Sequence, residues 1–109
     1  MTEADIYARL GALAGGNVFP FFAPQGTAAP WVVFLLPSSA SEDVLCGPAE
    51  TACAVQVDAW ASSIDDARAL REQIKSALAD LHPVGLNEIN AYEPDTALYR
   101  ATLEVQIWQ

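Results

Sequence analysis

A strict alternation of side chains near the C-terminus constrains the fold more than any other feature of this sequence. One side of residues 99–108 carries Tyr99, Ala101, Leu103, Val105 and Ile107, and the other carries Arg100, Thr102, Glu104, Gln106 and Trp108. A period of two over this length predicts a β-strand with one buried face. Trp108 is the large apolar exception on the polar side. It predicts a surface that meets another protein.

Helix signals and apolar runs predict the other elements. Thr2 and Asp5 have the spacing of a capping box, and Ser62-Ser63 precedes a second helical pattern. The predicted elements, in chain order, are a helix from Thr2 to Gly15, strands over residues 31–36 and 51–60, a helix from Ser63 to Pro83, a strand over residues 84–92 and the final strand. The sequence therefore predicts an α+β fold in the order α-β-β-α-β-β. We expect a four-stranded, mainly antiparallel sheet with two helices packed on one face.

The second helix has one apolar stripe and a polar face. Helical spacing joins Ile64, Ala67, Leu70, Ile74, Ala77, Leu78 and Leu81. On the polar face, Asp65 and Arg68 are three residues apart, as are Glu72 and Lys75. Oppositely charged side chains at this spacing are neighbours on a helix, so both are expected to form ion pairs.

Residues 17–30 contain three prolines and a glycine, which predicts a loop without regular helix. This loop is unusual because it carries Phe21 and Phe22 as well as Phe19. The phenylalanines either cover one end of the core or lie in a subunit interface, where aromatic side chains are enriched.

The uninterrupted apolar run over residues 31–36 predicts a strand that is covered on both faces. Because two helices would cover one face, a neighbouring subunit is expected to cover the other. The candidate interface residues are Phe21, Phe22, Trp31, Trp60 and Trp108.

Composition excludes several classes of function. The chain has 109 residues, which fits one domain, and fourteen acids against five bases give a net charge of −9. Phosphate binding needs clustered Lys and Arg, so nucleic acid is an improbable direct ligand. The sequence has no apolar run long enough to cross a membrane, and its acidic N-terminus is unlike a signal peptide. We expect a soluble protein made in the cytoplasm.

The sequence contains no recognisable catalytic or metal-binding pattern. Cys46 and Cys53 are seven residues apart, and His82 is the only histidine. That spacing does not match a zinc site, so reduced and structurally incidental thiols are expected, with a local disulfide as the alternative in an oxidising compartment. Glu42 and Asp43 are too few for a cation site on their own. We predict that the chain is not an enzyme and uses no cofactor or metal.

Four segments, taken in order, resemble one family. They are residues 23–34, the strand from Val55 to Ala61, the helix from Asp66 onward, and the C-terminal segment with its Glu-Pro-Asp-Thr turn and Tyr99-Arg100 start. Together they are similar to the small tail-completion (tail-terminator) proteins of long-tailed bacteriophages and phage-derived gene transfer agents. The resemblance spans nearly the whole chain.

The resemblance implies a structural virion protein without catalytic residues. Members of the family form a ring, usually of six copies, at the head-proximal end of the tail tube. The ring stops tube polymerisation and docks to the head-side connector or stopper protein. The implied partners are other copies of the chain, the tail tube protein and the connector. The protein would be made in the host bacterial cytoplasm and incorporated into the virion, with no membrane contact.

Such a ring would let DNA pass through its lumen without binding it. A negatively charged wall repels DNA phosphate, and Glu42 and Asp43 are candidates for a loop that faces the lumen or the connector. One alternative remains open from the order of elements: a ferredoxin-like module that dimerises and holds a small ligand.

Overall fold

The fold consists of two helices and a five-stranded sheet. The computed structural model describes residues 2–36 and 52–108, and for Ala52 and Trp108 it describes the backbone alone. The elements, in chain order, are α1 (Glu3–Leu10), β1 (Val18–Pro20), β2 (Trp31–Leu35), β3 (Ala52–Ala61), α2 (Ile64–Leu78), β4 (Val84–Glu93) and β5 (Leu98–Trp108). Short 3₁₀ turns follow each helix, at Leu13–Gly16 and Ala79–Leu81. The mixed α+β class predicted from the sequence is confirmed.

The prediction of four strands in the order α-β-β-α-β-β is wrong by one strand. β1 lies within the segment predicted as loop, and the order is α-β-β-β-α-β-β. β1 runs parallel to β2, and flanking backbone bonds join Val32 N to Asn17 O and Phe21 N to Phe34 O. At three residues it is too short to show a period of two. Its Pro20 has no N–H to donate, so it is tolerated only because β1 is an edge strand.

The sheet order is β1-β2-β3-β5-β4, and every pair except β1–β2 is antiparallel. β3 and β5 form the long central pair, from Ala52 opposite Trp108 to Ala61 opposite Tyr99. The edge strand β4 pairs with β5, and its register shifts between Val84 and Asn87. Gly85 lies in that bulge with a φ of 64°. A bulge often uses glycine at such a position because only glycine adopts it without strain.

One face of the sheet packs against both helices and forms the core. Alternate residues of β5 are buried there, from Ala101 to Ile107, opposite Cys53, Val55, Val57 and Ala59 of β3. The alternation predicted for β5 is therefore confirmed. The largest fully buried side chains include Phe34 of β2, Ile6 and Leu10 of α1, and Ile74 and Leu78 of α2. We call this the helix face, and the opposite side the outer face.

The helix caps form as the sequence predicts. The Asp5 carboxylate accepts a 2.9 Å hydrogen bond from the Thr2 backbone N–H, and the Ser63 hydroxyl accepts a 3.1 Å bond from the Asp66 N–H. These bonds satisfy backbone donors that have no partner within the helix. The predicted Glu72–Lys75 ion pair is present at 3.3 Å, but the predicted Asp65–Arg68 pair is not formed.

Cys53 is buried in β3 and disulfide-bonded, so the expectation of reduced thiols is wrong for this residue. Cys46, Glu42 and Asp43 lie outside the described residues.

Candidate subunit interface

A row of aromatic and cationic side chains crosses the outer face. The register places Trp31 of β2 opposite Trp60 of β3, and Trp60 opposite Arg100 of β5. Directly opposed residues of antiparallel strands share a face and touch. The two indole rings accordingly stack, with centroids 5.8 Å apart and planes 27° apart, and the Arg100 guanidinium carbon lies 5.6 Å from the Trp60 ring. Arg100 also lies 3.6 Å from the Glu93 carboxylate, which keeps its cation beside the row.

Phe21 and Phe22 project from the end of β1 toward this row. After Pro20 the backbone turns sharply: Phe21 adopts a φ of 70°, and the Phe22 N–H donates to Pro20 O at 2.8 Å. A positive φ is strained for a bulky residue, so the turn is held by its surroundings. The two side chains are 59% and 72% exposed.

These residues line a surface cavity of about 270 Å³. We call it the aromatic pocket, and it is formed by Phe21, Phe22, Ala23, Trp31, Val33, Asp58 and Trp60. Four of the five predicted interface residues therefore come together in space. The sequence predicts that a neighbouring subunit covers the second face of β2, but Val33 on that face is already only 7% exposed within the single subunit, among the residues of the aromatic pocket.

Asp58 gives the aromatic pocket its one charge. Its residue is 7% exposed, and its Oδ1 accepts a 2.7 Å hydrogen bond from the Thr102 hydroxyl. Within residues 2–36 and 52–108, Asp58 forms no ion pair. The alternation of β3 predicts Asp58 on the outer face, but it does not predict burial. Burial follows from the aromatic side chains that surround it.

The distribution of charge along the sequence marks the same surface. Residues 10–41 contain no charged side chain and no histidine, although the chain as a whole has a net charge of −9. Phe21, Phe22 and Trp31 all belong to this uncharged segment. Two acidic copies would repel each other least where charge is absent, so this segment is the favourable place for them to meet.

Trp108 is not part of the aromatic pocket. It ends β5 opposite Ala52, eight residues beyond Arg100. That separation is about 26 Å along the strand at roughly 3.3 Å per residue. Its side chain, like Glu42 and Asp43, lies outside the described part of the chain.

Four of the five basic side chains lie within 4 Å of a carboxylate of the same subunit. The Arg9 guanidinium donates hydrogen bonds of 3.0 to 3.2 Å to the Asp80 carboxylate. These hydrogen bonds lower the pKa of Asp80 and raise that of Arg9. Lys75 bonds Glu88 at 2.9 Å, which lowers the pKa of Glu88 and raises that of Lys75. Arg71 is buried and contacts β4 and β5, and Arg100 lies beside Glu93. Arg68 is exposed, and none of the described acids pairs with it.

The described residues provide no group of three or more His, Cys, Asp or Glu side chains that could hold a metal ion. No described helix is long and apolar enough to cross a membrane. A second surface cavity of about 270 Å³ lies beside the β4 bulge and is lined by residues that include Gly85, Asn87 and Glu104.

Comparison with known proteins gives a family. The model of the tail completion protein gp17 family matches residues 5–109. A search of curated proteins gave no match. Among solved structures, a chain in the virion of a native gene transfer agent particle is similar, with a TM-score of 0.61 and 15% sequence identity, over 95% of this chain and 92% of that chain. At this identity the structural likeness shows a shared fold. The family match covers nearly the whole sequence, and the chain therefore belongs to the tail completion protein gp17 family.

Proposed function

We propose that this chain is a structural virion protein that terminates the tail. Six copies form a ring on the head-proximal end of the tail tube, stop its polymerisation and present a surface to the head-side connector. Membership of the tail completion family supports the tail role, and the similar gene transfer agent chain is a virion component. The protein acts through its surfaces and has no catalytic step.

The aromatic pocket is the observation that best supports the proposal of a ring. Phe21 and Phe22 expose more than half of their surface on a chain that otherwise disfavours self-contact through its charge. Exposed aromatic clusters of this kind mark interaction sites, and they dominate interface energetics. A cyclic ring requires two different contacting surfaces on each subunit. The outer face with the aromatic pocket is one of them, and a surface on the helix side is the other.

Trp108 belongs to the same proposal as an additional interface residue. Its position at the end of β5 places it far from the aromatic pocket along the sheet. Trp108→Ala is expected to weaken assembly more than it lowers the stability of the subunit. Sedimentation of the variant beside its thermal unfolding checks this, and an unfolded monomer would assign Trp108 to the core instead.

The acidic character of the chain suits a DNA passage. Six copies with a net charge of −9 each surround one axis, and a negative lumen repels phosphate. In this proposal Glu42 and Asp43 face the lumen or the connector. Particles carrying Glu42→Lys and Asp43→Lys should deliver DNA less efficiently. Unchanged infectivity would remove the lumenal role of this loop.

Electron microscopy of the purified protein, alone and mixed with tail tubes, tests the main proposal. We expect six-fold rings or tubes that are capped at one end. A discrete dimer that ignores tubes would overturn it. A dimer stabilised against heat by a metabolite would favour the ferredoxin-like ligand module instead.

A further inference from the structure

Asp58 is the only carboxylate that is buried among the described residues. Its one hydrogen bond comes from a neutral hydroxyl, that of Thr102. A buried carboxylate is costly unless a cation or several donors compensate it. The described part of the subunit supplies neither to Asp58, which lines a pocket that opens on the surface.

The aromatic pocket has the chemistry to receive a cation. Its walls include the side chains of Trp31, Trp60 and Phe21, and its charge is the Asp58 carboxylate. Aromatic faces attract cations, and they favour the planar guanidinium of arginine over the compact ammonium of lysine. One contact of this kind is already present within the subunit, where the Arg100 guanidinium lies over the Trp60 ring. A second arginine entering the pocket would meet aromatic rings and the carboxylate together.

Arg68 is the basic residue that pairs with no acid among residues 2–36 and 52–108. The other four basic residues are each within 4 Å of an acid of the same subunit, and they are Arg9, Arg71, Lys75 and Arg100. Arg68 lies on the exposed side of α2, and α2 covers the helix face. The aromatic pocket lies on the outer face. Arg68 therefore cannot reach the pocket of its own subunit, but it is well placed to reach that of another.

We infer that Arg68 of one subunit inserts into the aromatic pocket of the next and pairs with Asp58. This inference rests on the proposed ring and names the contact that closes it. The contact joins the helix side of one copy to the outer face of its neighbour, so it is heterologous and propagates in one direction around a ring.

The charges around Arg68 fit this orientation. Its neighbours on α2 include Asp65 and Glu72, which would be repelled by another acidic surface. Across the proposed contact they meet residues of the uncharged segment 10–36 instead. Among the described residues, the arrangement places the unpaired cation Arg68 against the buried carboxylate of Asp58 and keeps the acids of α2 away from other acids.

A double-mutant cycle tests the pair. Asp58→Asn removes the charge and keeps an oxygen that can accept the Thr102 bond, so near-ultraviolet circular dichroism should show an intact fold. Each of Arg68→Gln and Asp58→Asn should raise the protein concentration needed for half-maximal ring formation by about 30-fold. The double variant should be no worse than either single one, and Arg68→Lys should fall in between. Independent, multiplicative effects of the two changes would overturn the pairing.

Photo-cross-linking locates the contact and separates this inference from the proposed ring. A benzophenone amino acid in place of Phe22 should form covalent dimers whose cross-links map to α2 of the second copy, around Arg68. Rings that form with cross-links elsewhere would refute the Arg68 contact and leave the ring standing. Cross-links only to the tube protein would make that protein the occupant of the aromatic pocket. Failure to form any assembly, alone or on tubes, would remove both proposals.

Discussion

Phe22 has the highest exposed fraction, 72%, among the large apolar side chains of the described residues. It is held outward by a backbone turn that contains the positive φ of Phe21, and such strain persists only where the surroundings enforce it. Trp60 and Trp31, by contrast, are half-buried and stack on each other. At the residue scale, the outer face thus combines two stacked, half-buried tryptophans with one protruding phenylalanine.

Phe22→Ser should weaken assembly while leaving the stability of the subunit nearly unchanged. The side chain is mostly in water already, so the free energy of unfolding should change by less than about 0.5 kcal/mol. Ring formation should weaken by about 1–2 kcal/mol, because an apolar anchor of the contact is lost. Urea unfolding and sedimentation measure the two quantities.

Leu86→Ser is the matched control for Phe22→Ser. Leu86 is 47% exposed on β4 and is not among the residues of the aromatic pocket. We expect it to leave both stability and assembly nearly unchanged. Equal loss of assembly in the two variants would mean that the contact surface includes the β4 edge.

Arg71 links three elements from within the helix face. Its side chain is buried on α2, and its Nη1 donates to Asn90 Oδ1 at 2.8 Å and to Ile89 O at 3.2 Å on β4, with a longer contact of 3.4 Å to Thr102 O on β5. At the scale of elements, Arg71 and Lys75 attach the edge strand to α2 through polar contacts. This explains why β4 lacks a clear apolar alternation.

Arg71→Met should cost about 2 kcal/mol of stability, because charge-assisted hydrogen bonds to buried groups are lost. Hydrogen exchange should rise first in β4, which loses its attachment to the helix. Arg68→Met on the same helix is the control, since the Arg68 side chain is exposed and pairs with none of the described acids. A loss confined to global stability, with β4 protected as before, would contradict the role of Arg71 as a clamp.

Acid should weaken the contacts between elements. The pKa of Asp80 is lowered by Arg9, and the pKa of Glu88 is lowered by Lys75. A lowered pKa in the folded state contributes stability above the unfolded-state value of about 4, and that contribution is lost as the pH falls through the folded value. The urea midpoint should therefore drop below about pH 4.

The variant carrying Asp80→Asn and Glu88→Gln should show a shallower drop over the same pH range. Because both carboxylates are largely exposed, its stability at neutral pH should be close to that of the unchanged protein. An identical acid response in the two proteins would place the titrating groups elsewhere.

The sequence predicted long, regular elements well and short or polar ones poorly. The alternation of β5 and the capping signals of both helices were sufficient to predict these elements, because each signal depends on local spacing. β1 was missed because three residues cannot display a period. An apolar stripe does not include Arg71, because a charged side chain is normally exposed, although its spacing from Ala67, Ile74 and Leu78 places it on the buried side of α2.

The candidate interface was predicted in part. Aromatic residues in a proline-rich loop and on polar strand faces led to Phe21, Phe22, Trp31 and Trp60, which do come together. Asp58 and Arg68 could not be found in this way, because one depends on tertiary burial and the other on the absence of a partner. The uncharged segment of residues 10–41 was a usable signal in the sequence.

At the scale of the whole molecule, the subunit has two unlike sides. One side carries the helices with most of their charged residues, and the other carries the aromatic pocket and the row from Trp31 to Arg100. A net charge of −9 makes repulsion between copies the main cost of assembly. The surface contacts must therefore outweigh a long-range penalty that depends on ionic strength.

Assembly should strengthen as salt is raised from about 0.01 M to about 0.15 M, because the screening length falls from about 30 Å to about 8 Å. A buried Arg68–Asp58 contact is screened much less than the exposed acids. Mass photometry across this range measures the response. Weaker assembly at the higher salt would indicate that attraction between exposed charges, rather than apolar contact, holds the copies together.

The open edge of β4 has a practical consequence for handling the protein. Ten residues of this strand lie at the border of the sheet, with Val84, Leu86 and Ile89 exposed and with neither lysine, arginine nor proline among them. Such an edge is a template for amyloid-like strand addition. On β4, the bulge and the two glutamates are the features that hinder pairing with another strand. Acid also reduces the net negative charge that keeps copies apart. Concentrated stocks are therefore expected to stay clear near neutral pH and to aggregate when acidified, before the core itself unfolds.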